Sequence, residues 1–445
     1  MRPKGKHPST GDLFQQPLVE LINLKHPLVK LAELIDWSVF ETRWAEFFPS
    51  RTGRPASSPR LIAGLLYLQH TFACSDEDLI WTWVENPYWQ HFCGETYFQH
   101  EPPIAPSSMT RWRQRVGEEG VEWLLTETIE AARRGKVVKA KSFEKIIIDT
   151  TVMEKAVAYP TDSRLLERGR QHLVKLAGAL GITLRQNYNR EAPRLATQVG
   201  RYAHAKQYRR MKATLKSLRT IVGRVWRDID RKLDQRDDVE RAKAASILAR
   251  VKRLLEQKPK NKNKLYSLHA PEVECISKGK ARQPYEFGVK VTVATTHKEG
   301  LVVGMRSLPG NPYDGHTLPE AIEQVSILTA QKPKAVFVDK GYRGISVDGV
   351  TIWRNGQKRG VTPSIRKAIH RRSAVEPAIG HMKNDGKLRR NWLKGSLGDA
   401  LNAVLCGAGI LRAIRLFYVW MLCFAIAGAG RRPSSRPEFP RFAVI

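Results

Sequence analysis

Two short apolar runs, each closed by an aspartate, constrain this chain most: "KIIID" ending at Asp149 and "KAVFVD" ending at Asp339. Three consecutive isoleucines do not alternate between a wet and a dry face, so they read as a strand buried on both sides. Such a strand needs helices packed above and below it. Between and after the two runs, "YEFGVKVTVATTHKEGLVVGMRSLPG" alternates as two strands joined by a turn at 298–300, a hairpin signal. Thr317 and Glu320 form a capping-box pattern ahead of "AIEQVSILTA", which predicts a helix. "GVTIW" reads as a further short strand, and a helix spans "RRSAVEPAIGHMK" at 371–383. Strand, insertion, hairpin, helix, strand, strand, helix is a mixed α/β order, one sheet flanked by helices.

Before the first strand, 20–135 is helical in pattern. "SPRLIAGLLYLQHTF" spaces Leu61, Leu65, Leu66 and Leu68 by three and four, and Ser75 opens "SDEDLIWTWVEN" with acids in its first turn. "PSSMTRWRQRVGEEGVEWLL" offers Ser107 or Ser108 as an N-cap and carries Arg111, Arg113 and Arg115; it reads equally as a helix-turn-helix or as a solvated amphipathic helix pair. After Asp149 comes a basic, helical stretch, in which Leu215, Leu218, Val222, Val225, Trp226, Ile229 and Leu233 share one helix face and Lys and Arg cover the other. The expected division is a helical N-terminal domain for DNA binding or dimerisation (1–140), an α/β domain (141–430) with a basic helical insertion at about 155–280, and a flexible tail (431–445).

Charge narrows the function. The 445 residues hold 75 Lys and Arg against 43 Asp and Glu, a formal net charge of +32. So large an excess fits a polyanionic partner, because each phosphate neutralised releases counterions. Nucleic acid is the expected partner. Five widely spaced cysteines without a Cys-x-x-Cys pair argue for a reduced, cytosolic chain and against zinc. No secretory signal is visible at the start. The apolar run "LFYVWMLCFAIAGA" (416–429) is shorter than the roughly 20 residues a bilayer requires and reads as a buried helix rather than a membrane span.

In open sheets ligands gather beyond the carboxyl ends of strands, where Asp149 and Asp339 both sit. Glu376, the one acid among Arg371, Arg372 and Lys383, is placed on a neighbouring helix to complete a carboxylate cage. Hard oxygen donors grouped in this way suit Mg²⁺ or Mn²⁺, and two such ions support phosphoryl transfer. Each acid also has a plainer use. Asp149 and Asp339 are competent turn formers. Glu376 has an i,i+4 partner in Arg372 and a capping-box partner in Ser373, and Pro377 favours a first helical turn there.

Several segments together, "KIIIDTTVMEKAVAYPTDSRLL", "GNPYDGHTL", "VFVDKGYRG" and "RRSAVEPAIGHMKNDGKLRRNWLKG", resemble the DDE transposases of bacterial insertion sequences, in the family numbered five of the broader family-four-like group. "GRPASSPRLIAGLLYLQHTF", "WVENPYWQHFCGE" and "SSMTRWRQRVGEEGVEWLL" resemble that family's helical leader. The resemblance implies an RNase H-like catalytic domain in which Asp149, Asp339 and Glu376 are the catalytic acids and hold two Mg²⁺ ions, with Mn²⁺ as a substitute. It also implies a cytoplasmic, nucleoid-associated homodimer that binds the terminal inverted repeats of double-stranded DNA, cuts the ends and joins them to target DNA. Arg372, Glu376 and Lys383 keep the family spacing of Arg, three residues, Glu, six residues, Lys; the tyrosine that precedes them is Ile369 here. On a continuous helix 372, 376 and 383 face one way, which gives Arg372 and Lys383 to flanking phosphates. Lys340, Tyr342, Arg343, Arg389, Arg390, Arg111 and Arg113 are the further expected DNA contacts. Asp314 and His316 match another family segment, as a turn or as functional groups. Three other classes remain: a structure-specific nuclease, a decayed or domesticated DNA-binding protein without catalysis, and a membrane-associated role that rests only on the apolar stretch near 416.

Overall fold

The isoleucine run lies inside a seven-stranded sheet. In the computed structural model, which describes residues 16–409 except 48–55, 235, 259–260, 263, 278 and 280–282, the strands are Lys145–Lys155 (β1), Glu274–Ser277 (β2), Tyr285–Thr296 (β3), Val302–Leu308 (β4), Ala335–Val338 (β5), Thr351–Arg354 (β6) and Arg390–Asn391 (β7). β1 runs antiparallel to β3 from Ile146↔Thr296 to Glu154↔Gly288. β3 carries β4 along its second edge, and β2 further along that same edge. On the other edge of β1, β5 pairs in parallel with the first three residues, Lys145↔Ala335 to Ile147↔Phe337, and β6 lies beyond β5. β7 pairs with the far end of β1, Glu154↔Arg390 and Lys155↔Asn391. Among the described residues the edge between these two partners therefore lacks a strand at 148–153, and Asp149 opens that gap.

Ile146, Ile147 and Ile148 are all buried, as a strand covered on both faces requires. β1 is longer than its apolar run suggests, because Thr150, Thr151 and Val152 are β-branched and extend it. Asp149 is thus inside the strand rather than at its end. The hairpin forms as expected, with Gly300 at φ +74° in its turn. Gly288 meets β1 so closely that a Cβ there would collide with the Met153 carbonyl.

One apolar cluster runs from Leu28 in the N-terminal helices through the sheet to Ala408. Helix Gly395–Ala408 packs between β4 and the helices Pro59–Thr71 and Ser108–Arg134, so the leading helices share a core with the sheet. Pro59–Thr71 is buried almost throughout, which explains its mixed leucine spacing. Ser75 caps the next helix by accepting from the Asp78 amide. Ser108–Arg134 is broken at Gly117 (φ +64°) into two helical stretches, and neither Ser107 nor Thr317 makes the side-chain cap expected of it. Thr317 Oγ1 instead donates to the Asp314 carbonyl at 2.8 Å.

The insertion between β1 and β2 holds helices Asp162–Ala179, Glu191–His204, Tyr208–Leu233 and Asp238–Glu256 around a separate apolar cluster. Leu218, Val222, Val225, Ile229 and Leu233 face inward there, with Leu215 and Trp226 packed beside them. Among the described residues no helix is long and apolar enough to cross a membrane. The run at 416–429 and the tail at 431–445 lie outside the described residues.

Candidate active site

The register of β1 and β5 fixes the first two acids side by side. Asp149 lies two residues past Ile147, and Asp339 two residues past its partner Phe337. The third acid comes from the helix Val375–Asn384, which packs against β1. A single guanidinium joins them. Arg372 Nη1 is 3.1 Å from Asp149 Oδ2, while Nη2 is 3.7 Å from Asp339 Oδ1 and 3.5 Å from Glu376 Oε1.

Depth separates the three. The side chain of Asp149 is 20% exposed, that of Asp339 46% and that of Glu376 64%, so the deepest acid receives the shortest contact. Burial raises the Asp149 carboxyl above the ordinary aspartate range; the Thr150 amide and Arg372 oppose this, while Asp339 and Glu376 push it higher. The Thr150 amide donates to Asp149 Oδ1 at 2.8 Å and Asn355 Nδ2 to Asp339 Oδ1 at 3.5 Å.

Arg372 stands on a one-turn 3₁₀ segment, Arg371–Ala374, between the helices Pro363–His370 and Val375–Asn384. The continuous helix expected across 372–383 is therefore interrupted. Arg371 holds the turn in place by donating to the His297 carbonyl at 2.9 Å and the Lys298 carbonyl at 2.5 Å in the β3–β4 hairpin. No capping box forms at Glu376, since the Ser373 hydroxyl donates to the His370 carbonyl at 3.1 Å. The i,i+4 contact of Arg372 with Glu376 does form.

Three of the expected DNA-contact side chains turn inward. Arg372 faces the carboxylates and is 10% exposed. Arg113 is buried, its two Nη atoms donating to Asp76 and to Gln69 Oε1 at 2.7 Å, an acid and an amide on the neighbouring helices inside the leading core. Tyr342 is buried beneath the site, where burial and the charges of Asp149 and Asp314 drive its hydroxyl far above the ordinary tyrosine range. Lys340, Arg343, Arg389, Arg390 and Arg111 are exposed, and Lys383 is half-buried.

Asp314 lies next to the cluster: Thr150 Oγ1 and Lys290 Nζ each donate to its Oδ1 at 3.1 Å. His316 is exposed and packs edge-on against Tyr313. Sequence reasoning did not single out Thr150, which touches both Asp149 and Asp314; its place directly after the strand aspartate was the available signal.

Residues 16–115 match the family described as Transposase domain (DUF772), and residues 267–406, which include Asp339 and Glu376, match the Transposase DDE domain. The chain belongs to the DDE transposases of insertion-sequence type. A protein of Rhizobium meliloti named "Uncharacterized protein ORF8 in nfe locus" is 47% identical over 208 residues, a span covering 47% of this chain and all of that protein. No solved structure matches. In this transposase three carboxylates from three elements lie within reach of one positive group. Among the described residues no three His, Cys, Asp or Glu are grouped tightly enough to hold a metal ion, and the Arg372 guanidinium is the cation between the carboxylates.

Proposed function

We propose that this transposase binds the terminal inverted repeats of its element, cleaves the DNA at those ends and joins them to target DNA. The observation that carries the reading is the convergence of Asp149, Asp339 and Glu376 on one guanidinium. The order β4–β3–β1–β5–β6, with two antiparallel pairings followed by two parallel ones, supports an RNase H-like fold.

Asp149, Asp339 and Glu376 would hold two Mg²⁺ ions, with Mn²⁺ as substitute, which when bound supply charge neutralisation at a phosphodiester and a more acidic attacking hydroxyl. The chain's own part is to align the acids. β1 and β5 are buried strands, so Asp149 and Asp339 are pre-positioned by the core rather than by mobile loops. Glu376 is the exposed member, set by the helix on the solvent side. Water as the first nucleophile and a 3′-hydroxyl as the second need no covalent protein intermediate. Lys340, Arg343, Lys383, Arg389, Arg390 and Arg111 supply cations for phosphates around the acids and along the leading helices. Arg372 serves in the resting protein as counter-charge, and a homodimer would hold two ends together.

The test is a plasmid carrying the element's two ends, incubated with protein and Mg²⁺. Nicked ends and joined products are expected from wild type, with both lost by at least about a hundredfold in Asp149→Asn, Asp339→Asn and Glu376→Gln. Cleavage without joined products would assign a nuclease instead. Tight end binding without Mg²⁺-dependent cleavage would assign a non-catalytic relative.

A further inference from the structure

At the far end of β1 from the carboxylates, a buried ionic cluster holds a surface turn rigid. Lys155 Nζ lies 2.7 Å from Asp399 Oδ1 and 3.0 Å from Glu272 Oε1, and Asn391 Nδ2 donates to the same Asp399 oxygen at 2.6 Å. Asn391 Oδ1 accepts from the Leu393 amide at 2.9 Å, and the Gly395 amide donates to Glu272 at 2.9 Å. Both sides of residue 392 are therefore pinned from below. Buried charge of this kind stabilises little compared with an apolar replacement, so its contribution is a fixed geometry.

What that geometry presents is a tryptophan. Trp392 is 67% exposed. Single exposed apolar side chains are common and carry no message alone. This one differs in its setting: the Arg390 guanidinium lies over its ring at 4.9 Å, and Arg389 and Lys394 are exposed on either side of it along the chain. A flat ring with an adjacent guanidinium, framed by cations, is the chemistry that receives a nucleobase and its phosphate. From Asp149 to Glu154, the residue opposite Arg390, the strand spans about 17 Å, or about five base steps of 3.4 Å.

We propose that Trp392, stiffened by Arg390, is a stacking platform for an unpaired or unstacked base of DNA lying across the carboxylate site. This rests on the DNA-processing reading above. The arrangement separates two jobs: Arg389 and Lys394 take the backbone, and Trp392 takes the base. Asn391, Asp399 and Lys155 are positioning residues for that ring.

The experiment compares short duplexes of arbitrary sequence, intact or with one unpaired 2-aminopurine, at fixed salt and without divalent metal. Wild type should bind the bulged duplex more tightly than the intact one and quench the 2-aminopurine. Trp392→Ala should lose about tenfold in affinity for the bulged duplex, together with the quench, and keep its affinity for the intact duplex. Trp392→Phe should retain most of both. Thermal unfolding should be unchanged in each, since the ring is exposed. Equal bulge preference and quench in wild type and Trp392→Ala would overturn the proposal. So would an unchanged preference accompanied by altered sedimentation in the alanine variant, which would assign the ring to a protein contact. Wild type that binds neither duplex would remove the DNA reading itself, an outcome separable from loss of stacking alone.

Discussion

Arg372 has two jobs at the residue scale, and they conflict. Its guanidinium offsets part of the charge of three carboxylates that otherwise repel, yet on the metal-dependent reading proposed above it stands where a divalent cation would be drawn. Removing one member of a buried charge cluster costs about 3–5 kcal/mol, and the exposure of Glu376 and Asp339 screens their share, so Arg372→Met should destabilise the metal-free protein by roughly 2 kcal/mol. Thermal melts in EDTA would show this as a drop of several degrees, with millimolar Ca²⁺ recovering more stability in the variant than in wild type. An unchanged melt would mean that the acids need no counter-charge. The i,i+4 contact of Glu376 with Arg372 is legible from the spacing of the one acid in a basic strip. The inward turn of Arg372 is not, because an i,i+4 spacing gives no information on acids contributed by distant strands. The burial of Arg113 and Tyr342 is hidden for a related reason: a charged or phenolic side chain in a motif looks the same whether its partner is DNA or an acid brought in by the fold.

Elements whose signals are local are legible in the sequence. The β3–β4 hairpin carries its own turn glycine and alternation, and the Ser75 cap satisfies its amide within three residues. β1 is longer than its apolar run, since its second half is held by pairing with β3 over 150–154. The helix expected across 371–383 is split because Arg371 is tied to the hairpin carbonyls, a contact no periodicity reveals. Gly288→Ala should separate β1 from β3 at Met153 and cost about 2–4 kcal/mol, measured as a lower denaturant midpoint with an unchanged slope. A variant as stable as wild type would refute the close approach. His70 links Pro59–Thr71 to Gly395–Ala408, with ring nitrogens 3.2 Å from the Leu66 carbonyl and 3.4 Å from Asn402 Oδ1. Burial, then Lys387 and Arg113, lower its pKa to about 3, below the value near 6.5 of an unfolded histidine. The unfolded chain thus takes up a proton that the folded one refuses, so stability present above pH 6.5 falls as pH drops toward 3, by at most about 1.4 kcal/mol per unit from this group. Subtracting a His70→Gln pH–stability curve from that of wild type should isolate this slope; identical slopes would contradict it.

At the scale of the whole molecule, the sheet and the leading helices share one apolar core while the basic insertion has its own. Four helices build the insertion's cluster and only one of them shows its apolar face plainly in the sequence, while the joining of leader to sheet runs through Gly395–Ala408, far along the chain. Within a chain of net charge +32, three acids from three elements converge on Arg372. The proposed chemistry requires residues 149, 339 and 376 to share a cation. The direct measurement replaces Mg²⁺ by Fe²⁺ and uses ascorbate and peroxide to cut the backbone beside the bound iron. Cuts near all three positions, lost together in Asp149→Asn and competed away by Mg²⁺, are predicted. Cuts at a single position, or at sites elsewhere that Asp149→Asn leaves unchanged, would contradict a shared site.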